Sequence, residues 1–274
     1  MRTIIALLQR NLLKLMRDRM KLFMNLFMSC LFLFIFSFVM KSTAVGISNP
    51  INYLIAGIII MTVFQSSLSN SMNILDDISS GFMKEILVAP ISRWQIAIGH
   101  ILSSALISVI QGIIIVITGL FIGLQIDFLH GMEMVVVMIL VGLTFSAMGL
   151  YLATITRESS NFQLLVTLIS FPLTFLSGAY IPTMVLPKFL IPIVYVNPLT
   201  YTTAVFRYVT LKMEHLPTAE LVKSGVAFNI HGFIITPWMS CIFIMVIGII
   251  FLALCVRQFS KADFSKVKLF RHKH

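Results

Sequence analysis

The chain is predicted to be an all-α integral membrane protein with six transmembrane helices, an N-terminal amphipathic interfacial helix and a re-entrant outer hairpin between helices 5 and 6. Three observations carry that prediction. Of 274 residues, 58% are hydrophobic and only 11% charged, more apolar surface than a soluble core can use. The 20 Lys and Arg and the 10 Asp and Glu all fall outside six apolar runs, each at least about as long as the ~18 residues that read as a membrane span. After the fifth run, a stretch rich in proline stays apolar without being able to form another uninterrupted helix.

The runs cover residues 22–40, 51–75, 96–124, 134–156, 162–182 and 235–256. Lipid explains the partition, because an isolated charge at the centre of a membrane helix costs ~2.5 to 3.5 kcal/mol. The segments before span 1, between spans 2 and 3, between 4 and 5 and after span 6 hold 15 of the Lys and Arg, and the alternate segments hold 5. Both termini are therefore expected in the cytoplasm, in a multi-pass protein of the plasma membrane. The net charge of +10 is concentrated on those flanks, where anionic headgroups attract it, and needs no nucleic acid as partner. The basic N-terminus leads into an apolar run longer than a signal core, and Ser42-Thr43-Ala44 is a poor cleavage site, so a retained first helix is expected. Cys30, Cys241 and Cys255 lie within spans and read as small buried hydrophobes.

Residues 2–21 place Ile4, Ile5, Leu8, Leu12, Leu15 and Met16 on one side and Arg10, Lys14, Arg17, Asp18 and Lys21 on the other. That spacing fits a helix lying along the inner interface; a plain basic flank that sets topology accounts for it too. The second half of span 2 carries Gln65, Ser66, Ser69, Asn70 and Asn73 on one face. Helix packing through small and polar side chains explains this stripe as well as a substrate path does.

Residues 76–93 interrupt spans 2 and 3 with Asp76-Asp77, then Phe82, Met83, Ile86 and Leu87 on one face and Lys84 and Glu85 elsewhere, as far as Pro90. They read as a short cytoplasmic helix across the span ends or as a solvated interfacial loop. A very short link after span 4 centres on Arg157 and Glu158. Residues 170–200 contain Pro172, Pro182, Pro187, Pro192 and Pro198, with Ser177-Gly178 between them and only Lys188 charged. A broken hairpin dipping in from the outer side fits, provided protein shields its irregular backbone. Residues 208–234 read as an outer loop and 257–274 as a basic cytoplasmic tail, in which His272-Lys273-His274 offers at most a weak metal site.

Three of these pieces resemble one family. Gly81-Phe82-Met83-Lys84-Glu85-Ile86-Leu87-Val88-Ala89-Pro90-Ile91-Ser92 is similar to the loop of ABC-2 type permeases, which runs Gly, two or three residues, Glu, two apolar residues, then Pro near Ser or Thr. Arg10 to Arg19, with Arg17-Asp18, resembles the family's opening basic helix, which carries an Arg-Asp pair just before span 1. Pro172, Leu176-Ser177-Gly178, Pro182, Leu186-Pro187, Asn197-Pro198-Leu199-Thr200-Tyr201 and Arg207 resemble its second signature. Span 1 departs from the pattern in lacking a proline near its start.

The resemblance implies a single ABC-2 transmembrane domain over residues 1–274, with an interfacial helix at 1–21, a six-span core at 22–256 and the tail at 257–274. It also implies the membrane subunit of an exporter. The chain has no G-x-x-x-x-G-K-[ST] phosphate loop, so no cofactor is expected on it; ATP and Mg would sit on a separate cytoplasmic ABC ATPase, two copies of which would meet two permeases. The second permease is a homodimer partner or a close paralogue. On this reading Gly81, Phe82, Lys84, Glu85, Ile86 and Pro90 form a coupling helix whose apolar face docks in a groove of the ATPase, with Arg157 and Glu158 touching the same partner. Gln65, Ser69, Asn70, Phe171 and Phe175 would line the path, which spans 2 and 5 flank. The apolar spans suit an amphiphile such as a drug, lipid or peptide, with a polysaccharide or glycolipid as the alternative cargo.

Two other classes fit poorly. An ion-coupled carrier usually needs a carboxylate within the membrane, and no span has one; His100, the sole group in the spans that titrates near neutrality, sits near an inner end. An intramembrane enzyme needs convergent groups such as H-E-x-x-H, whereas the six histidines are scattered.

Overall fold

A computed structural model describes residues 2–43, 50–88, 92–124, 126–156, 158–180, 182–183, 186–230 and 232–261. Its helices are α1 (Arg2–Arg17), α2 (Arg19–Thr43), α3 (Pro50–Asn70), α4 (Asn73–Ser79), α5 (Phe82–Val88), α6 (Arg93–Ile122), α7 (Phe128–Thr156), α8 (Ser159–Leu176), α9 (Ile191–Val196), α10 (Pro198–Thr210), α11 (Thr218–Lys223) and α12 (Pro237–Lys261). The all-α membrane architecture is the one the charge partition predicts. One small addition is an antiparallel pair, β1 (Phe228–Ile230) and β2 (Phe233–Ile235), with Asn229 opposite Ile234.

Five described stretches are long and apolar enough to cross a membrane: Ile51–Ser79, Arg93–Ile122, Phe128–Thr156, Ser159–Leu176 and Pro237–Gln258. The expected first span falls in α2, whose apolar described stretch is the shorter Phe23–Phe36. The centre of the molecule is α3, packed against α2, α6, α7, α8 and α10. Tyr53 through Met61, then Val63, Phe64 and Leu68, are all buried, which explains why the first half of this helix is apolar all round rather than amphipathic. On the periphery, α8 and α12 turn rows of large apolar residues outward, including Leu164, Leu168 and Phe171 on α8.

The predicted N-terminal helix is present but shorter than residues 2–21. It ends at Arg17, where the Asp18 N–H closes onto the Lys14 and Leu15 carbonyls at 3.1 and 3.2 Å. Against the protein it packs Leu7, Asn11 and Leu15, one residue every four, which leaves Ile5 and Met16 of the expected apolar face turned outward, where an interfacial helix meets lipid. The reason is α6: a methyl added at Gly99 would meet Leu7 Cδ1 at 2.9 Å, so α1 presses its Leu7 stripe onto that helix. Two further boundaries move. Span 2 gives way at Ser71-Met72, a turn that separates α3 from α4. The helix α10 is almost wholly buried and runs to Thr210, beyond the point where an outer loop was expected to begin.

At the end of the molecule away from α5, Lys212 pairs with Asp127 between α6 and α7. The Lys212 ammonium, by hydrogen bond and charge, holds the exposed Asp127 carboxyl below the usual carboxylate range.

Candidate coupling surface and membrane cavity

The predicted coupling segment is two short helices rather than one. α4 ends at Ser79, and Gly81 takes φ +82°, a left-handed conformation that glycine adopts without a Cβ penalty, before α5 begins at Phe82. Asp77 faces into the protein, and Asp76 stays at the surface in a pair with α1. Lys14 Nζ donates to Asp76 Oδ2 at 2.9 Å, and Arg10 of α1 pairs with the buried Asp77. The Arg10 guanidinium also lies 4.3 Å above the Phe82 ring, close enough for a cation–π contact. His100, in the second turn of α6, is buried with Nε2 3.7 Å from Asp77 Oδ2. It packs inside instead of reaching for the interface. One side chain, Arg10, thus touches both α4 and α5.

This geometry corrects the expectation that the apolar face of residues 82–87 docks in a partner. Met83 is 1% and Ile86 8% exposed, and both belong to the protein's own core. A seven-residue helix with few residues to pack cannot hold its position unless it spends its apolar face on its own chain. What remains outward is Ser79, Ser80 and Glu85, with Gly81 and Phe82 half-buried. Lys84 lies in α5, while Pro90 and Arg157 fall outside the described residues. Glu158 is exposed just before α8, and its Oε2 accepts a hydrogen bond from Asn161 Nδ2 at 2.7 Å.

A cavity of about 230 Å³ opens between α2, α3, α6 and α8. Gln65, Ser69, Phe171 and Phe175 line it as expected. Asn70 does not: its Nδ2 donates to Ser66 Oγ at 2.9 Å, one turn back along α3. The sequence reading missed Asn25, Ser29 and Phe32 of α2, Gln111 of α6, and Thr167, Ser170 and Thr174 of α8. A signal for them existed. Asn25 and Ser29, and Thr167, Ser170 and Thr174, recur at helical spacing in otherwise apolar runs. Two buried polar atoms at the cavity, Gln111 Nε2 and Ser170 Oγ, lack hydrogen-bond partners, whereas Asn25 Nδ2 reaches Gln111 Oε1 at 3.4 Å. Both atoms are enclosed by their neighbours, and a rotation of either side chain would turn an unpaired polar group into the cavity.

The proline-rich signature assembles into one knot beside this cavity. α8 passes through Pro172 and closes with a tight turn, the Ser177 N–H reaching Thr174 O at 3.4 Å. Asn197 Nδ2 donates to Leu173 O at 2.8 Å, while its Oδ1 accepts the Leu199 N–H at 2.9 Å and so caps α10, which starts at Pro198. Ser177 Oγ accepts the Ala179 N–H at 3.2 Å, and Gly178 turns the chain at φ +82°. Arg207, 2% exposed, donates from Nη2 to Ala179 O at 2.8 Å and from Nε to Tyr53 O at 3.4 Å, with its guanidinium 3.4 Å over the Tyr53 ring. Of the remaining prolines, Pro182 is half-buried and Pro187 exposed, with Pro187 O accepting the Leu190 N–H at 2.9 Å. The residues that resemble a signature are thus brought together as a structural joint of α8, α10 and α3.

The model of the ABC-2 type transporter family matches residues 2–211, a stretch that holds α1 through α10 and all three sequence pieces. The chain belongs to the ABC-2 type transporter family. As an ABC-2 permease it is a multi-pass membrane protein, and permeases of this family pair with an ABC ATPase. It is similar to the transport permease ycf38 of Cyanophora paradoxa, 25% identical over 253 residues that span 89% of this chain and 84% of that one. The inner membrane transport permease YadH of Escherichia coli K12 is 24% identical over 193 residues, 67% of this chain and 72% of the relative. A third relative in the same organism, YbhR, named a multidrug ABC transporter permease, is 23% identical over 156 residues, 57% and 42% of the two chains.

Proposed function

We propose that this ABC-2 permease is the membrane-spanning subunit of an exporter that moves an amphiphilic compound, a drug, lipid or peptide, out of the cytoplasm or inner leaflet. Two copies of a separate cytoplasmic ABC ATPase, binding ATP and Mg, drive it, and two permeases with six spans each form the path, as a homodimer or with a close paralogue. Both termini face the cytoplasm of a cell whose plasma membrane holds the protein, and the proline-rich stretch between the fifth and sixth spans forms a re-entrant outer hairpin. The carrying observation is α5, seated on the core by Met83 and Ile86 with Glu85 exposed. A motor that pushes Glu85 moves α4 and, through Arg10, α1, which packs along α6.

The cavity supports an amphiphile over a polysaccharide. Aromatic rings of Phe32, Phe171, Phe175 and Tyr180 meet hydroxyls and amides there, and no lining residue is charged. The outward row of Leu164, Leu168 and Phe171 beside it is the surface on which a second permease would close the path.

Reversing the charge of Glu85 tests the coupling. In Glu85→Lys co-purified with its ATPase, substrate-stimulated ATP hydrolysis is expected to fall at least about tenfold with the melting temperature unchanged, since an exposed rim charge tunes partner binding more than folding. Normal stimulation would sink the coupling role. At the cavity, Gln111→Leu removes the free amide. The concentration of compound giving half-maximal stimulation is expected to rise about five- to tenfold, the worth of one hydrogen bond of ~1 kcal/mol. An unchanged concentration for every stimulating compound would place the cargo elsewhere.

A further inference from the structure

The end of the molecule opposite α5 holds a cluster for which the transport reading has no use. His130 and Glu133 are one turn apart in the first turns of α7, and Glu214 approaches them from the 3-10 turn Met213–His215 that follows α10. One ligand atom of each lies within 4.8 Å of the other two, and His130 Nε2 is 3.2 Å from Glu214 Oε1. Ligands of a tetrahedral zinc ion, bonded at about 2.0 to 2.2 Å, sit about 3.3 Å from one another. Small side-chain rotations would bring the three groups to that spacing.

Two features set the cluster apart from a surface ion pair. Among the described residues no Lys or Arg pairs with Glu133 or Glu214; the nearby Lys212 is committed to Asp127. Two carboxylates are therefore held together with only a histidine between them, a concentration of negative charge that a cation relieves. The histidine is also oriented for ligation. Its Nδ1 is buried, makes no hydrogen bond, and points toward Asp127 Oδ2 at 3.7 Å. Nε2 faces Glu214 at 3.2 Å, and a small rotation that closed the gap between Nδ1 and Asp127 would give the carboxylate–histidine–metal order found in protein metal sites.

We propose that His130, Glu133 and Glu214 bind one divalent transition-metal cation of the zinc type, clamping the start of α7 to the turn after α10. One imidazole and two carboxylates suit Zn²⁺ and leave a position for water. The hard cations Mg²⁺ and Ca²⁺ prefer all-oxygen shells and are expected to compete poorly.

The test uses the full chain purified in detergent without a polyhistidine tag, with His272→Ala and His274→Ala in every sample so that the tail contributes nothing. Equilibrium dialysis against buffered Zn²⁺ is expected to give about one ion per chain, and Co²⁺ is expected to give the visible absorption of a four-coordinate site. Glu133→Gln and Glu214→Gln should each weaken Zn²⁺ binding more than tenfold, and Asp127→Asn about tenfold through the orientation of the imidazole. Glu214→Gln lies in an exposed turn, so its size-exclusion profile is expected to match the parent, which separates lost ligation from lost folding. Absence of a stoichiometric ion in the parent, or equal binding by the parent and the Glu214→Gln variant, would overturn the proposal. The result is independent of export, because it is read on the permease alone.

Discussion

Arg10→Met is expected to lower the melting temperature of the purified permease by about 10 °C, from ~3 kcal/mol for leaving a buried carboxylate without its cation and roughly 2 to 4 °C per kcal/mol. The Asp77 side chain is 7% exposed and Arg10 is its direct partner. Lys14 is already engaged with Asp76, so no second cation moves in. The same substitution strips the guanidinium from Phe82 and should abolish most substrate-stimulated hydrolysis in the complex. The double variant Arg10→Met, Asp77→Leu separates these effects. Replacing both members of a buried pair by apolar groups is often neutral or stabilising, so thermal stability should return while stimulated hydrolysis stays low. If stimulation returned with stability, Arg10 would be a fold residue with no part in transmission.

A larger loss is expected from Arg207→Lys, although it conserves charge. Arg207 makes two carbonyl contacts and a stacked ring contact at once, a planar fork that a lysine ammonium cannot reproduce. Stranding two buried carbonyls at about 1 to 3 kcal/mol each, and losing a desolvated cation–π contact of ~2 kcal/mol, gives about 4 kcal/mol or more. The variant should yield mostly aggregated protein on size exclusion, whereas Tyr53→Leu, which removes the ring alone, should stay monodisperse with a smaller drop in melting temperature. Wild-type behaviour of Arg207→Lys would mean that the joint of α3, α8 and α10 is held by something other than this side chain.

Much of the fold was legible because charge is so strictly excluded from lipid that its positions mark the helix ends. The same rule hid the interior. Gln111 and Ser170 are neutral, and nothing in a lone glutamine or serine says whether it faces lipid, a neighbour or a cavity; that depends on the rotation of α6 and α8, which packing decides. Residues 82–87 carry an amphipathic pattern that names an apolar face but not its partner, and here the partner is the chain's own core. Arg207 was legible as part of a motif, but its burial was not, because the carbonyls that hold it come from residues 28 and 154 positions away. The pairings of Asp76 and Asp77 were hidden for a similar reason, their cations lying 62 and 67 positions upstream.

The central helix is gripped at both ends. A methyl on Gly57 would fall 2.2 Å from the Ala179 carbonyl oxygen, and one on Gly149 of α7 would fall 2.5 Å from Ser71 Oγ, just past the end of α3. Such contacts leave no clearance for α3 to slide along its axis past its neighbours, because close-packed surfaces resist small shear. If α5 is the coupling helix proposed above, displacement delivered there is expected to reach the far side of the bilayer as tilt of α3 about its packed midpoint rather than as a slide along its axis. Distances measured between spin labels on α3 and α7 during turnover should change together at both ends and in opposite directions, whereas a piston-like stroke would shift both the same way.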